Sequence, residues 1–315
     1  MPATVIFSLL GRRVFVAGHR GMLGSALVRR LSREDCEILT ASREVVDLRN
    51  KDAVAAWFAT QRPQAVFVAA AQVGGIHANN SRPAEFLYDN VAIATNIIEA
   101  ARRSSVSKLM FVGSSCVYPL LAPQPMPENC LLTGPLEPTS QWSAIAKIAG
   151  IKLCQAYRRQ FNCDFVSVIP TSVYGPGDNI DLDASHVFAA LMIKIAAAVR
   201  EGRDTIEIWG TGESRREFIH VDDLADAMVY LMKTWSDEEP VNIGTGSDVT
   251  INELARTIAA TAAFFGRFVH DTSKSDGASR KLLDVSKLAA LGWEPRIDLE
   301  AGVRDVFDWY RQQVV

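Results

Sequence analysis

The chain has 315 residues, of which 48% are hydrophobic and 22% charged, with a formal net charge of -3. That is enough apolar material for one large domain or two smaller ones, and too little net charge to attract nucleic acid or an anionic membrane surface through a global field. Five cysteines (Cys36, Cys116, Cys130, Cys154 and Cys163) show no CxxC spacing, which argues against a disulfide framework or a metal site and for a reducing, cytoplasmic setting.

The opening MPATVIFSLLGRR holds a short apolar run with no basic segment ahead of it, so no secretory leader is expected. No apolar run reaches the ~18 residues that cross a bilayer. Short β-branched or aromatic runs then recur as predicted strands: VFVAG (14–18), EILTAS (37–42), AVFVAAA (65–71), KLMFVGS (108–114) and FVSVIPT (165–171). Helical patterns fall between them at 25–33, 53–61, 91–104 and 144–161. Continuous apolar strands alternating with amphipathic helices predict an α/β fold, a doubly wound parallel sheet with right-handed crossovers. After YGPGDN (174–179) the rhythm changes, with a predicted helix over 186–200 and strands over 206–210 and 241–244. We expect a first domain of 1–174 plus 218–246, and a smaller α/β lobe of 175–217 plus 247–315.

The stretch VFVAGHRGMLGSALV sets Gly18, Gly21 and Gly24 between the first strand and the first helix. Glycines there allow a tight turn, and the backbone N–H groups around Met22 and Leu23 can face a pyrophosphate at the positive helix end. Folds that bind NAD carry an acidic residue after the second strand to hold the ribose 2′-OH. Here Arg43 occupies that region and Arg20 lies in the glycine loop, and two guanidiniums suit a 2′-phosphate; the alternative is plain surface solvation. The expected cofactor is NADP(H). In QWSAIAKIAG (141–150), Ser143 and Lys147 stand one helical turn apart. Read alone, they are a helix-start serine and a snorkelling lysine, or they are chemical machinery.

The glycine spacing, Asp47-Leu48, the alanines at 69–71, the serine-rich strand end GSSC and a helical lysine resemble the extended short-chain dehydrogenase/reductase superfamily, with its Rossmann-type sheet. That resemblance implies that Asp47, Leu48, Ala70, Ala71, Pro170 and His186 line the cofactor together with Lys147. The blocks GHRGMLGSA, AAAQVGGIHANN, GSSCVYP, AIAKIAGIKLC, YGPGDN, RREFIHVDD, NIGTG and KSDGASRKLLDVSKL, in order from residue 18 to 288, resemble the GDP-L-fucose synthase family more narrowly. The implied reaction is epimerisation of GDP-4-keto-6-deoxy-D-mannose at C3 and C5, followed by NADPH reduction at C4.

Epimerisation beside a ketone needs an acid and a base on opposite faces of the sugar, and Cys116 and His186 match that pair. Read alone, Cys116 is a small buried hydrophobe and His186 a helix cap. Ser114 and its neighbour Ser115 match the ketone-binding strand end, and Lys147 the ribose-holding lysine. The superfamily's proton-donating tyrosine falls on Ser143. An aliphatic hydroxyl is a far weaker acid than a phenol of pKa about 10, so the hydride step is expected to be slowed while epimerisation persists. Ser172 stands where an asparagine is usual, and Lys194 where an arginine is. Trp209, Arg216 and Lys281 match substrate-binding positions; taken singly, Trp209 reads as a core aromatic and Arg216 as a surface charge. The resemblance further implies a homodimer through a four-helix bundle of 84–103 and 143–161. An alternative reading is a catalytically disabled protein that binds NADP and a GDP-sugar as a partner or sensor.

Overall fold

The computed structural model describes residues 4–75, 79, 81–181, 185–274 and 276–313. Ile76, His77, Ala78 and Asn80 of AAAQVGGIHANN, Ala184 of ASHVF, and Ser275 of KSDGASRKLLDVSKL lie outside the described residues.

Among the described residues, the first half alternates strands with α-helices. It runs β1 (Arg13–Ala17), α1 (Met22–Leu31), β2 (Glu37–Leu39), α2 (Lys51–Gln61), β3 (Ala65–Val68), α3 (Pro83–Arg103), β4 (Lys108–Val112), α4 (Gln141–Phe161) and β5 (Phe165–Pro170). Strands β3, β4 and β5 are buried at every position, as expected where helices cover both faces of a parallel sheet. Local chemistry starts the helices. Asn50 caps α2 by accepting the Asp52 and Ala53 N–H groups, and Pro83 occupies the first turn of α3.

The second half holds β6 (Ser172–Tyr174), α5 (Val187–Glu201), β7 (Thr205–Trp209), β8 (Arg215–His220), α6 (Val221–Thr234), β9 (Val241–Ile243), β10 (Asp248–Thr250), α7 (Ile251–Thr261), β11 (Arg267–Asp271), β12 (Arg280–Lys281), α8 (Ser286–Ala290) and α9 (Leu299–Gln313). Among the described residues, six parallel strands make the central sheet in the order β2-β1-β3-β4-β5-β9. A second sheet pairs β8 with β10, β12 and β6, and β7 pairs with β11.

One face of the central sheet packs Phe58, Ile97, Ile98 and Ile151 from α2, α3 and α4. The other packs Leu27, Leu224 and Met228 from α1 and α6, which are also joined by the Arg29–Asp222 and Arg30–Asp226 pairs. A third cluster, around Tyr174, Phe188, Phe218 and Leu254, holds the second sheet to α5, α7 and α9.

Three predicted strands end two or three residues early, β2 among them at Leu39 instead of 42. Pairing stops at Val68 and Val112, while the sequence predicts strands to 71 and 114. The residues beyond leave the sheet at its carboxyl edge, where β1 is flanked by β2 and β3 and the chain winds away in opposite directions. That topology opens a crevice. Helix α3 begins at Pro83, eight residues before the predicted start, because Glu85, Asp89 and Asn90 interrupt the apolar residues of its early turns and hide the helical period.

Candidate active site

The glycine loop leaves β1 at the crevice. Gly18 has φ +88°, and a Cβ built on it would lie 2.7 Å from the Ala70 backbone, so the loop after β3 presses directly on the turn. A Cβ on Gly24 would sit 2.0 Å from the Gly18 carbonyl oxygen, which fixes glycine at the first turn of α1. Gly21 differs: its Cβ would meet nothing nearer than that same oxygen, at 3.5 Å. It is the N-cap residue of α1, no side chain caps that end, and no acidic residue occupies its first turn. The helix therefore offers free backbone donors at its positive end.

Arg20 reaches Glu44 at 3.3 Å and Arg43 reaches Asp47 at 3.8 Å, all at the rim of the crevice. The Arg49 guanidinium, through its hydrogen bonds, brings the Asp47 carboxyl down to about 2. Leu48 packs against the core and its carbonyl accepts from Asn96. Ala71 follows Ala70 in the same loop, and Pro170 closes β5 in register with Ile243.

The end of β4 and the start of α4 come together beside this loop. Ser115 to Val117 form a single 3-10 turn after Ser114, and the Ser114 Oγ lies 2.9 Å from the Cys116 Sγ. Across from them, Gly150 lets α4 ride on β4: a Cβ there would lie 2.2 Å from the Phe111 ring. This close approach brings Lys147 to the strand end. Its Nζ donates to the Val112 carbonyl at 2.7 Å and sits 5.2 Å above the Phe111 ring centroid. Burial lowers the lysine to about 8, against the opposing pull of the Cys116 thiol. Among the described residues, no carboxylate forms an ion pair with it.

Ser143 lies in the first turn of α4 and donates to Asn79 Oδ1 at 2.5 Å. Asn79 Nδ2 in turn donates to the carbonyls of Gly74 and Gly75, at 2.8 and 3.1 Å. Tyr118, which follows the strand end, does not replace the missing phenol. It is buried, donates to Asn242 Oδ1 at 2.6 Å, and its hydroxyl is pushed upward by burial.

His186 takes the N-cap position of α5, yet its side chain makes no capping bond. Close by is the buried Asp178 carboxyl, which interacts electrostatically with His186. Asp178 Oδ1 accepts the Asn179 N–H at 2.7 Å while Oδ2 has no hydrogen-bond partner among the described residues.

The second half of the chain contributes cations and one aromatic surface. Trp209 is 57% exposed, so the reading as a core residue fails. Lys194 and Lys274 lie 5.4 and 5.5 Å from its ring centroid, and Lys194 Nζ donates to the Glu207 carbonyl. Arg216 is half-buried rather than a surface charge; its Nη1 donates to the Arg215 carbonyl at 2.8 Å, and burial lowers its pKa against Asp276 and Glu137. Lys281 stands opposite Arg216 in the β8–β12 register and acts on the same Glu137. Ser172 opens β6 opposite Phe218.

Residues 14–244 match the model of the NAD dependent epimerase/dehydratase family. A GDP-L-fucose synthase from Sinorhizobium fredii is 47% identical over 98% of this chain and 98% of its own length. One from Escherichia coli is 49% identical, covering 95% of this chain and 96% of the relative. A GDP-L-fucose synthetase from Naegleria fowleri, solved bound to NADP, superposes with a TM-score of 0.90 at 27% identity, over 99% of this chain and 97% of that one. The chain belongs to the GDP-L-fucose synthase family.

Two residues that the family motifs contain, but that sequence reasoning did not single out, stand out in space. Asn79 is the partner of Ser143, and only the asparagine pair in VGGIHANN hinted at it. Glu217, within RREF, is fully buried. Its Oε1 accepts the Thr245 and Gly246 N–H groups, both at 2.7 Å, and its Oε2 accepts that of Leu283 at 3.0 Å. It thereby ties β8 to the β9–β10 loop and to the chain just past Lys281.

Proposed function

We propose that this chain epimerises C3 and C5 of GDP-4-keto-6-deoxy-D-mannose and then reduces C4 with NADPH to give GDP-L-fucose, the second stage being slowed by Ser143. The observation that carries the reading is the meeting of Ser114, Cys116 and Lys147 at the end of β4, beside an uncapped helix start.

The cradle fits NADP(H). Gly21 leaves the α1 terminus open to a pyrophosphate, Arg20 and Arg43 border it for a 2′-phosphate, and Lys147 would hold the nicotinamide ribose. Asp47, Leu48, Ala70, Ala71, Pro170 and His186 would line the rest. When bound, the reduced nicotinamide supplies a hydride to C4.

The chain's own groups do the remaining work. Cys116 and His186 exchange protons with C3 and C5 from opposite faces, each acting as acid or base according to its charge state. Ser114, with Ser115 beside it, donates to the C4 oxygen, so negative charge that forms there as a neighbouring carbon loses its proton is stabilised. Arg216, Lys281 and Lys194 hold the diphosphate, Trp209 offers its exposed face, and Ser172 contacts the sugar.

Incubation with the 4-keto sugar in D2O tests the first stage. Deuterium should enter C3 and C5 without NADPH, and GDP-L-fucose should form slowly when NADPH is added. Bound substrate with no exchange would sink the reading.

The second reading, a disabled GDP-sugar-binding protein, draws on the Ser143–Asn79 hydrogen bond, which leaves no acidic phenol at the site. It requires binding with neither exchange nor reduction. We also propose the division into 1–174 plus 218–246 and 175–217 plus 247–315, a cytoplasmic location, and a homodimer built on α3 and α4. The last is supported by the exposed Tyr88, Ile145 and Phe161 on those helices, and sedimentation tests it.

A further inference from the structure

If Ser143 is not the acid, the proton that completes the C4 reduction must come from another group. Asn79 decides the first half of the question. Both of its Nδ2 hydrogens face carbonyls, those of Gly74 and Gly75, so its orientation is fixed and Oδ1 can only accept. At 2.5 Å, Ser143 must therefore be the donor, and its single proton points at Asn79 rather than at the substrate. A serine hydroxyl held in this way, and intrinsically far less acidic than a phenol, is a poor proton source.

One turn along the same face of α4 is Lys147, with three N–H donors and one of them used on Val112. Its surroundings disfavour the charged form. It lies on the Phe111 ring and in the low-dielectric angle between α4 and β4, with no carboxylate counter-ion among the described residues. Cys116 is the titratable group that faces it, from the turn after β4; nothing titratable on α4 itself acts on it.

We propose that in this chain Lys147 is the proton donor of the reductive stage, acting through a water in the space a tyrosine ring would fill. This inference rests on the epimerase–reductase reading above. In the step, hydride from NADPH reduces the C4 carbonyl carbon and the cofactor is oxidised to NADP+. The C4 alkoxide takes a proton from the water and forms an O–H bond. The water is restored as the Lys147 N–H bond breaks, and the neutral amine then regains a proton from solvent. A pKa near 8 places the ammonium where it is both populated and able to give up its proton.

The test begins with the unaltered chain. Lysines labelled at Cε are followed by NMR in the absence of NADPH, and Lys147, assigned from the Lys147→Arg spectrum, should titrate with a midpoint of about 8. Single-turnover hydride transfer should be level below that pH and fall tenfold per unit above it, because the protonated form is the competent one. A midpoint above 10, or a rate that stays level through pH 9, overturns the proposal.

Variants then separate donation from ribose binding. Lys147→Arg keeps the charge but holds its proton. In the Ser143 chain it should lower hydride transfer by ~10²-fold or more. In the Ser143→Tyr background the same change should cost roughly tenfold or less, since the phenol then donates. Equal losses in the two backgrounds would show that Lys147 only holds the cofactor. Absence of exchange in the unaltered chain would instead count against the epimerase–reductase reading itself, so the two failures are distinguishable.

Discussion

The two walls proposed for the site, one for the cofactor and one for the GDP-sugar, are made in different ways. The cofactor wall is built from backbone: Gly18 and Gly24 are fixed by contacts a Cβ cannot survive, and the helix end they shape carries no side-chain cap. The wall proposed for the GDP-sugar would be built from side chains on short strands, with Arg216 on β8, Lys281 on its neighbour β12 and Trp209 on β7. A backbone wall fails all at once when its geometry is disturbed. A side-chain wall loses affinity by increments, because each cation also leans on a local partner such as the Arg215 or Glu207 carbonyl.

Replacing Ser143 is the sharpest way to probe the point where the walls meet. Ser143→Tyr should raise hydride transfer by ~10²–10⁴-fold, or about 2.7–5.5 kcal/mol of barrier, with little change in C3 and C5 exchange. Stopped-flow measurement of NADPH oxidation checks it; a revertant no faster than the parent means that position 143 is not where the donor belongs. The substitution also removes the hydroxyl that Asn79 accepts from, so the gain falls at the lower end of that range if the phenol is poorly seated beside Asn79.

Glu217→Gln comes next, and it tests whether the substrate wall depends on one buried strut. The amide has a single acceptor oxygen for three backbone N–H groups, and its NH2 faces one of them. A loss of about 2–3 kcal/mol in urea unfolding is expected, with KM for the GDP-sugar rising more than kcat falls, since Arg216 and the Lys281 strand move with it. An unchanged KM would show that Glu217 holds the fold without positioning the cations.

Gly24→Ala probes the opposite wall. Its Cβ would meet backbone, which cannot rotate away, so α1 must shift, at a cost of roughly 1–3 kcal/mol. NADPH affinity should fall with stability, while binding of the GDP-sugar to the cofactor-free protein stays near the parent value. Parallel losses for both ligands would mean that the walls are not independent.

The same division explains what the sequence made legible. The central sheet was readable because its strands are continuous apolar runs and its crossovers leave little topological choice. The glycine loop was readable because backbone constraints restrict residue type: only glycine fits at positions 18 and 24. The starts and stops were less clear. The early turns of α3 carry Glu85, Asp89 and Asn90, which mask the helical period, and the strands end where the crevice loops begin. The substrate wall was legible only through resemblance. Nothing in the spacing of Trp209, Arg216 and Lys281 shows that β8 and β12 pair in register, and no pattern rule separates an exposed tryptophan from a core one. Asn79 and Glu217 were hidden for a related reason, since the role of each is set by partners far away in the chain: Ser143 for one, Thr245, Gly246 and Leu283 for the other.

The smallest effect should come from Lys194→Arg. Lys194 already places its charge over the Trp209 ring and gives one bond to the Glu207 carbonyl, so the change adds no net charge. What it adds is a planar fork able to bind a phosphate through two N–H groups and to stack on the exposed indole. A KM for the GDP-sugar lower by about two- to fivefold, at constant kcat and with deuterium exchange unaffected, is the expected outcome, which corresponds to 1 kcal/mol or less. Calorimetric titration with GDP alone should give the same ratio, because the gain belongs to the diphosphate and not to the sugar. A gain with the GDP-sugar but none with GDP would move Lys194 from the diphosphate to the sugar, and the substrate wall would then have to be redrawn with Arg216 and Lys281 holding the diphosphate between them.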